Sequence, residues 1–116
     1  MERRWSPREP FAASILLHHP AFEALSCQGK DVSMEGMAVD TGEATLPQYE
    51  SMDAEITLDV GGQKETYDVN VLVVHSKEGG AVLRFQDPDI RLFRRLGDLL
   101  YSDQEQEEMD SGGQTA

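Results

Sequence analysis

The sequence predicts an all-β domain of six strands followed by a single C-terminal helix, and three observations carry that prediction. Met52, Ala54, Ile56, Leu58 and Val60 alternate with Asp53, Glu55, Thr57 and Asp59, the period of two expected of a strand with one buried and one wet face. Gly61-Gly62 separates this run from a second one, and two glycines can both take the positive φ that a two-residue hairpin requires. Helical periodicity is absent until residue 87.

In chain order, Phe11 to His18 reads as the first strand, Glu23 to Lys30 as the second and Gly36 to Asp40 as a short third. Residues 42–48, with Gly, Thr and Pro, read as a connection. The fourth strand is the alternating run above. The fifth, Gln63 to Ser76, places Tyr67, Val69, Val71 and Val73 on one face, with Leu72 and Val74 on the other. Apolar residues on both faces suit a closed or strongly curled sheet. Gly79-Gly80 turns the chain into the sixth strand, Ala81 to Phe85.

Asp87 is expected to cap the helix and Pro88 to occupy its first position, where the missing N–H costs nothing. Ile90, Phe93, Leu96 or Gly97, and Leu100 form the expected apolar stripe, with the helix ending near Tyr101. Residues 102–116 hold the run Asp103-Gln-Glu-Gln-Glu-Glu and are expected to be a disordered acidic tail, for which a purely solubilising role suffices.

A chain of 116 residues has room for one modest core and little room for a second. No apolar run approaches the roughly 20 residues that span a bilayer, so no membrane insertion and a cytoplasmic location are expected. The single Cys27 cannot form an internal disulfide and reads as a buried small hydrophobe. A net charge of −12 argues against duplex DNA or RNA, whose binders neutralise many phosphates. A small ligand with two phosphates needs only a local positive patch. Three of the first eight residues are Arg, whereas from Asp31 to Ser76 the only basic residue is Lys64. On that spacing alone, an ordinary polar arm over residues 1–10 fits equally well.

A second motif changes the balance. Arg4 and Arg8, spaced R-x3-R, are followed by Asp31, Ser33 and Gly36, spaced D-x-S-x2-G. Two guanidinium groups can bind phosphate as planar forks or stack on a base. Asp31 can accept from the N–H groups of a guanine edge, Ser33 can donate or accept, and Gly36 lets the backbone approach closely. In this order and in an all-β context, the two motifs resemble those of the PilZ domain family.

That resemblance implies a six-stranded antiparallel β-barrel over residues 11–101 with its helix near the C-terminus. It implies binding of cyclic di-GMP through a flexible arginine arm, residues 1–10, carrying Arg4 and Arg8 with Arg3 as a neighbouring candidate. Asp31, Ser33 and Gly36 then lie between the second and third strands, and no cofactor is implied. Arm closure would present a changed surface near Trp5 to a downstream protein partner. Trp5 itself either stacks on a base or packs on the barrel. Two departures from the family pattern bear on ligand access and stoichiometry: Val82 stands where a glycine commonly precedes the last aromatic, and Val74-His75 stands where an aromatic is common.

The alternative is a module of the same fold that binds no nucleotide and acts by docking to a partner. A barrel for single-stranded nucleic acid would want aromatic and basic residues interleaved along the strands, and these strands are acidic. Enzymatic readings find little support. His18 and His19 point to opposite faces of a strand, no His or Cys shows metal-ligand spacing, and neither a nucleophile elbow nor a P-loop is present.

Overall fold

The computed structural model describes residues 8–101. Among the described residues there are seven strands: β1 Glu9–Pro10, β2 Ser14–His19, β3 Phe22–Val32, β4 Gly36–Asp40, β5 Ser51–Val60, β6 Gln63–Lys77 and β7 Gly80–Gln86. They pair in the order β1-β3-β2-β5-β6-β7-β4, and β4 returns to β3. Six strands, β2 to β7, therefore close into an antiparallel ring, with β1 added on β3 beyond the end of β2. The expected fold class stands. A helix, α1, runs over residues 90–101.

The interior is lined by the predicted alternation. Met52, Ala54, Ile56 and Leu58 of β5 are buried, as are Tyr67, Val69, Val71 and Val73 of β6. These two strands pair over ten rungs, from Ser51 opposite Leu72 to Val60 opposite Gln63, and Gly61 and Gly62 close the hairpin at φ 59° and 87°. Ile15, Leu17, Met37, Val39 and Leu83 complete the ring from the remaining strands. The 42–48 connection is anchored rather than loose: Leu46 is buried, and its carbonyl accepts from the Ser76 hydroxyl at 2.6 Å.

Several boundaries differ from those expected. The first long strand begins at Ser14, because Phe11 to Ala13 form a bend in which the Ala13 N–H donates to the Phe11 carbonyl at 3.0 Å. That bend buries Phe11 and Ala13 and crosses β3 at Gly29, where a Cβ would lie 2.6 Å from the Phe11 carbonyl oxygen. The β6–β7 turn falls at Glu78-Gly79, with Gly80 already paired to Lys77.

At the helix, Asp89 is the cap: its Oδ1 accepts from the Leu92 N–H at 2.9 Å. Asp87 instead takes a left-handed conformation at φ 52°, which turns the chain out of β7 before Pro88. The buried stripe is Leu92, Leu96 and Leu100, whereas Ile90 and Phe93 are 60% and 48% exposed. The sequence offers two overlapping apolar stripes, and the angle at which the helix lies on the hairpin selects between them. Polar side chains tie the helix to the hairpin at one edge of the buried stripe. Arg95 pairs with Glu65 through Nε at 3.1 Å and Nη2 at 3.0 Å, Tyr67 donates its hydroxyl to Glu65, and Arg91 lies 4.8 Å over the Tyr67 ring.

Candidate functional site

The site begins where the arm meets the sheet. Glu9 and Pro10 pair with Val32 and Asp31, so the preceding residue, Arg8, is carried opposite Ser33. Residues 23 and 25 positions apart thereby come together. Arg8 reaches Asp31 Oδ1 through Nε at 2.8 Å and Nη2 at 2.6 Å, and its Nη1 donates to Ser33 Oγ at 3.4 Å. The ion pair is open to water, with side chains 46% and 40% exposed. Pairs of that kind contribute about 0.2 to 1 kcal/mol.

Ser33 is almost fully buried and acts as a hub. Its N–H donates to the Gly36 carbonyl at 2.8 Å, and its hydroxyl accepts from the Glu35 N–H at 3.3 Å while Glu35 Oε1 lies at 3.2 Å. The Ser33-Met34-Glu35-Gly36 turn is held from the other side by β7, whose Phe85 N–H donates to the Glu35 carbonyl at 2.8 Å. Gly36 is required here by contact. A Cβ at that position would sit 2.1 Å from the Leu83 carbonyl oxygen and 3.0 Å from Arg84 Cα. No rotamer change can relieve a collision between a Cβ and backbone.

A β-bulge aims Asp31. Cys27 faces the core, and strict alternation along β3 would send Asp31 inward with it. The register shifts between Gly29 and Asp31, so one step is skipped at Lys30; Val32 then faces the core at 0% exposure and Asp31 faces out. A second bulge lies on β6 between Val73 and His75. It turns His75 outward, opposite Val82, and Ser76 inward toward Leu46.

The two bulges bracket one row. Asp31 on β3 lies opposite Ala38 on β4, Ala38 opposite Val82 on β7, and Val82 opposite His75 on β6. Both positions at which the chain departs from the family pattern, Val82 and His75, fall on this row. The next outward-facing rung holds Gly36, Arg84 and Leu72. The result is a shallow outward shelf with a floor of Gly36, Ala38 and Val82, a carboxylate at one end and an imidazole at the other. Sequence patterning could not have found it, because each bulge reverses which residues share a face.

Arg3, Arg4 and Trp5 lie outside the described residues, as does the acidic segment from residue 102. Asp31, Ser33 and Gly36 are brought together with Arg8.

Other parts of the surface have a different chemistry. A groove lined by His18, Asp53, Asp68, Asn70, Asp87 and Asp89 is strongly acidic and would repel phosphate. Among the described residues no cluster of His, Cys, Asp and Glu could hold a metal ion. His19 is engaged locally, 3.1 Å from Glu50 Oε1 and stacked on Phe22 with ring centroids 4.8 Å apart. Cys27 is buried, and burial, with Asp40 nearby, pushes its thiol up to about 11, which keeps it protonated at neutral pH. Among the described residues no helix is long and apolar enough to cross a membrane.

Comparison with known proteins agrees with this geometry. The family model of the PilZ domain matches residues 2–102. Bacillus subtilis inhibitor of motility, MotI (DgrA), has a similar structure with a TM-score of 0.77 at 16% identity, covering 91% of this chain and 53% of MotI. Escherichia coli YcgR in complex with cyclic di-GMP gives 0.69 at 16% identity, covering 99% of this chain and 51% of YcgR. The PilZ domain of YcgR with cyclic di-GMP gives 0.67 at 15% identity, covering 95% of this chain and 98% of that domain. The chain thus spans about half the length of MotI and YcgR, and at these identities the likeness is one of fold. A search of curated proteins gave no match. On a family match over residues 2–102 and a closed antiparallel ring that places an arginine of the first motif against the aspartate and serine of the second, the chain belongs to the PilZ domain family.

Proposed function

We propose that this chain is a receptor for cyclic di-GMP that binds without turnover and passes the signal to a protein partner. The observation that carries the proposal is the contact of Arg8 with Asp31 and Ser33. Arg8 lies against the same Asp31 carboxylate that a guanine edge would use. Guanine presents two adjacent N–H donors, which suit an outward carboxylate as well as a guanidinium does. Arg8 would then move to the phosphates or stack on a base, joined by Arg4 and Arg3.

The energies favour such an exchange. The pair given up is worth about 1 kcal/mol or less, whereas each hydrogen bond to a charged group formed in its place is worth about 1.5 to 3 kcal/mol. Ordering arm residues costs roughly 1 to 2 kcal/mol each, so several such contacts are needed to hold the arm closed. Closure would displace β1, the two-residue strand that joins the arm to β3, and alter the surface a partner reads. The structure of YcgR with cyclic di-GMP supports the ligand class.

The docking-module reading is favoured by one observation, the exposure of Ile90 and Phe93 on α1. Isothermal titration separates the two readings. Cyclic di-GMP should bind with micromolar or tighter affinity, about −8 kcal/mol or more favourable, with GTP and cyclic di-AMP as controls, and the Arg4→Ala, Arg8→Ala double variant should lose it. Absence of heat and of thermal shift with folded protein would favour the docking module.

A further inference from the structure

We infer that Arg84, on the outward face of β7, is a second described guanidinium of the ligand shelf and binds the phosphodiester of a nucleotide whose base is held at Asp31. This rests on the receptor reading above. Arg84 lies directly opposite Gly36, the glycine of the second motif, and two residues along β7 from Val82, so it stands on the next outward-facing rung beside the row Asp31, Ala38, Val82, His75. With no side chain at Gly36, nothing on β4 at that rung stands between Arg84 and the turn that carries Ser33.

Two strand spacings separate β7 from β3, roughly 10 Å at about 4.8 Å each. That span fits a ligand that carries a base at one end and a phosphate at the other. Ala38 and Val82 are half-buried and short, so the surface between the two charges is low enough for a ribose or base to lie on it.

Electrostatics point the same way. The chain carries a net charge of −12, yet around the shelf the cations Arg8, Lys30 and Arg84 stand against the two carboxylates Asp31 and Glu35, with Lys30 the exposed residue of the β3 bulge. Arg8 is already matched by Asp31. Arg84 is exposed, and among the described residues it has no ion pair. An exposed guanidinium facing a bare floor suits a bidentate phosphate contact. Arg94 on α1 is the natural control, since it is also exposed and cationic but belongs to the groove lined by Lys64, Arg91 and Arg95.

The experiment is isothermal titration with cyclic di-GMP of the unaltered protein, Arg84→Ala, Arg84→Lys and Arg94→Ala, each first shown to keep its melting temperature. Arg84→Ala should weaken binding at least tenfold and flatten the dependence of affinity on salt. Arg84→Lys should keep the salt dependence but recover only part of the affinity, and Arg94→Ala should bind as the unaltered protein does. If the unaltered protein binds and Arg84→Ala matches Arg94→Ala, the assignment of Arg84 is wrong while the receptor reading stands. If the unaltered protein does not bind, both fall.

Discussion

Two arginine–carboxylate pairs in this domain have opposite designs. Arg95 meets Glu65 with its guanidinium fork, side chains 25% and 31% exposed, and Tyr67 donates to the same carboxylate. Arg8 meets Asp31 through one carboxylate oxygen, with side chains 46% and 40% exposed. The first pair joins the helix to the long hairpin and lies beside the Leu92, Leu96, Leu100 stripe. The second joins a two-residue strand to the rim of the ring. The same two chemical groups make a braced joint in one place and an open, singly held contact in the other, the one that the proposed receptor would exchange for its ligand. What differs is the number of additional bonds and the water each pair keeps.

The largest effect that sharpens this contrast is expected inside the braced joint. Leu96 is fully buried, so Leu96→Ala should cost about 2 to 5 kcal/mol in urea unfolding; a cost near zero would mean that α1 does not carry the stability assigned to it. Next comes Gly36→Ala, which forces a Cβ onto the Leu83 carbonyl and should cost about 1 to 3 kcal/mol. It should also disturb binding, because the motif turn must shift.

Glu65→Gln should lower the melting temperature less than either, and in a pH-dependent way. The Tyr67 hydrogen bond, followed by the charges of Arg95 and Arg91, holds the Glu65 carboxyl below the usual glutamate range. A depressed carboxyl contributes stability above its unfolded pKa and loses it as pH falls through the folded value. The difference between Glu65→Gln and the unaltered protein should therefore be present at neutral pH and fade in acid. A difference that grew in acid would contradict the sign. The smallest stability effect should come from Arg8→Ala or Asp31→Ala, within about 1 kcal/mol by urea unfolding, although each should abolish ligand binding. A large loss of intrinsic stability would make the exposed pair structural after all.

The sequence was most legible where period-two alternation runs unbroken. β5 and the first two-thirds of β6 lie close to where their alternation places them, because a hairpin closed by two glycines has one register. The motif residues were legible for a different reason, since their types and spacing carry chemistry regardless of backbone. The shelf was not legible. It depends on bulges at Lys30 and Val74 that invert facing, and on cross-strand neighbours as distant in sequence as Ala38 and Val82. The helix showed a third kind of ambiguity. The expected stripe of Ile90, Phe93, Leu96 or Gly97, and Leu100 overlaps the buried one of Leu92, Leu96 and Leu100, and Ile90 and Phe93 are left exposed.

The most direct test of the contrast is to follow the arginine Nε–H signals by nuclear magnetic resonance while cyclic di-GMP is added. The Arg8 signal should move with saturation as Asp31 exchanges its guanidinium for guanine, and the Arg95 signal should stay where it is. Saturable binding that leaves Arg8 unmoved, or that shifts Arg95 instead, would contradict the assignment of the Arg8–Asp31 pair as the exchangeable contact.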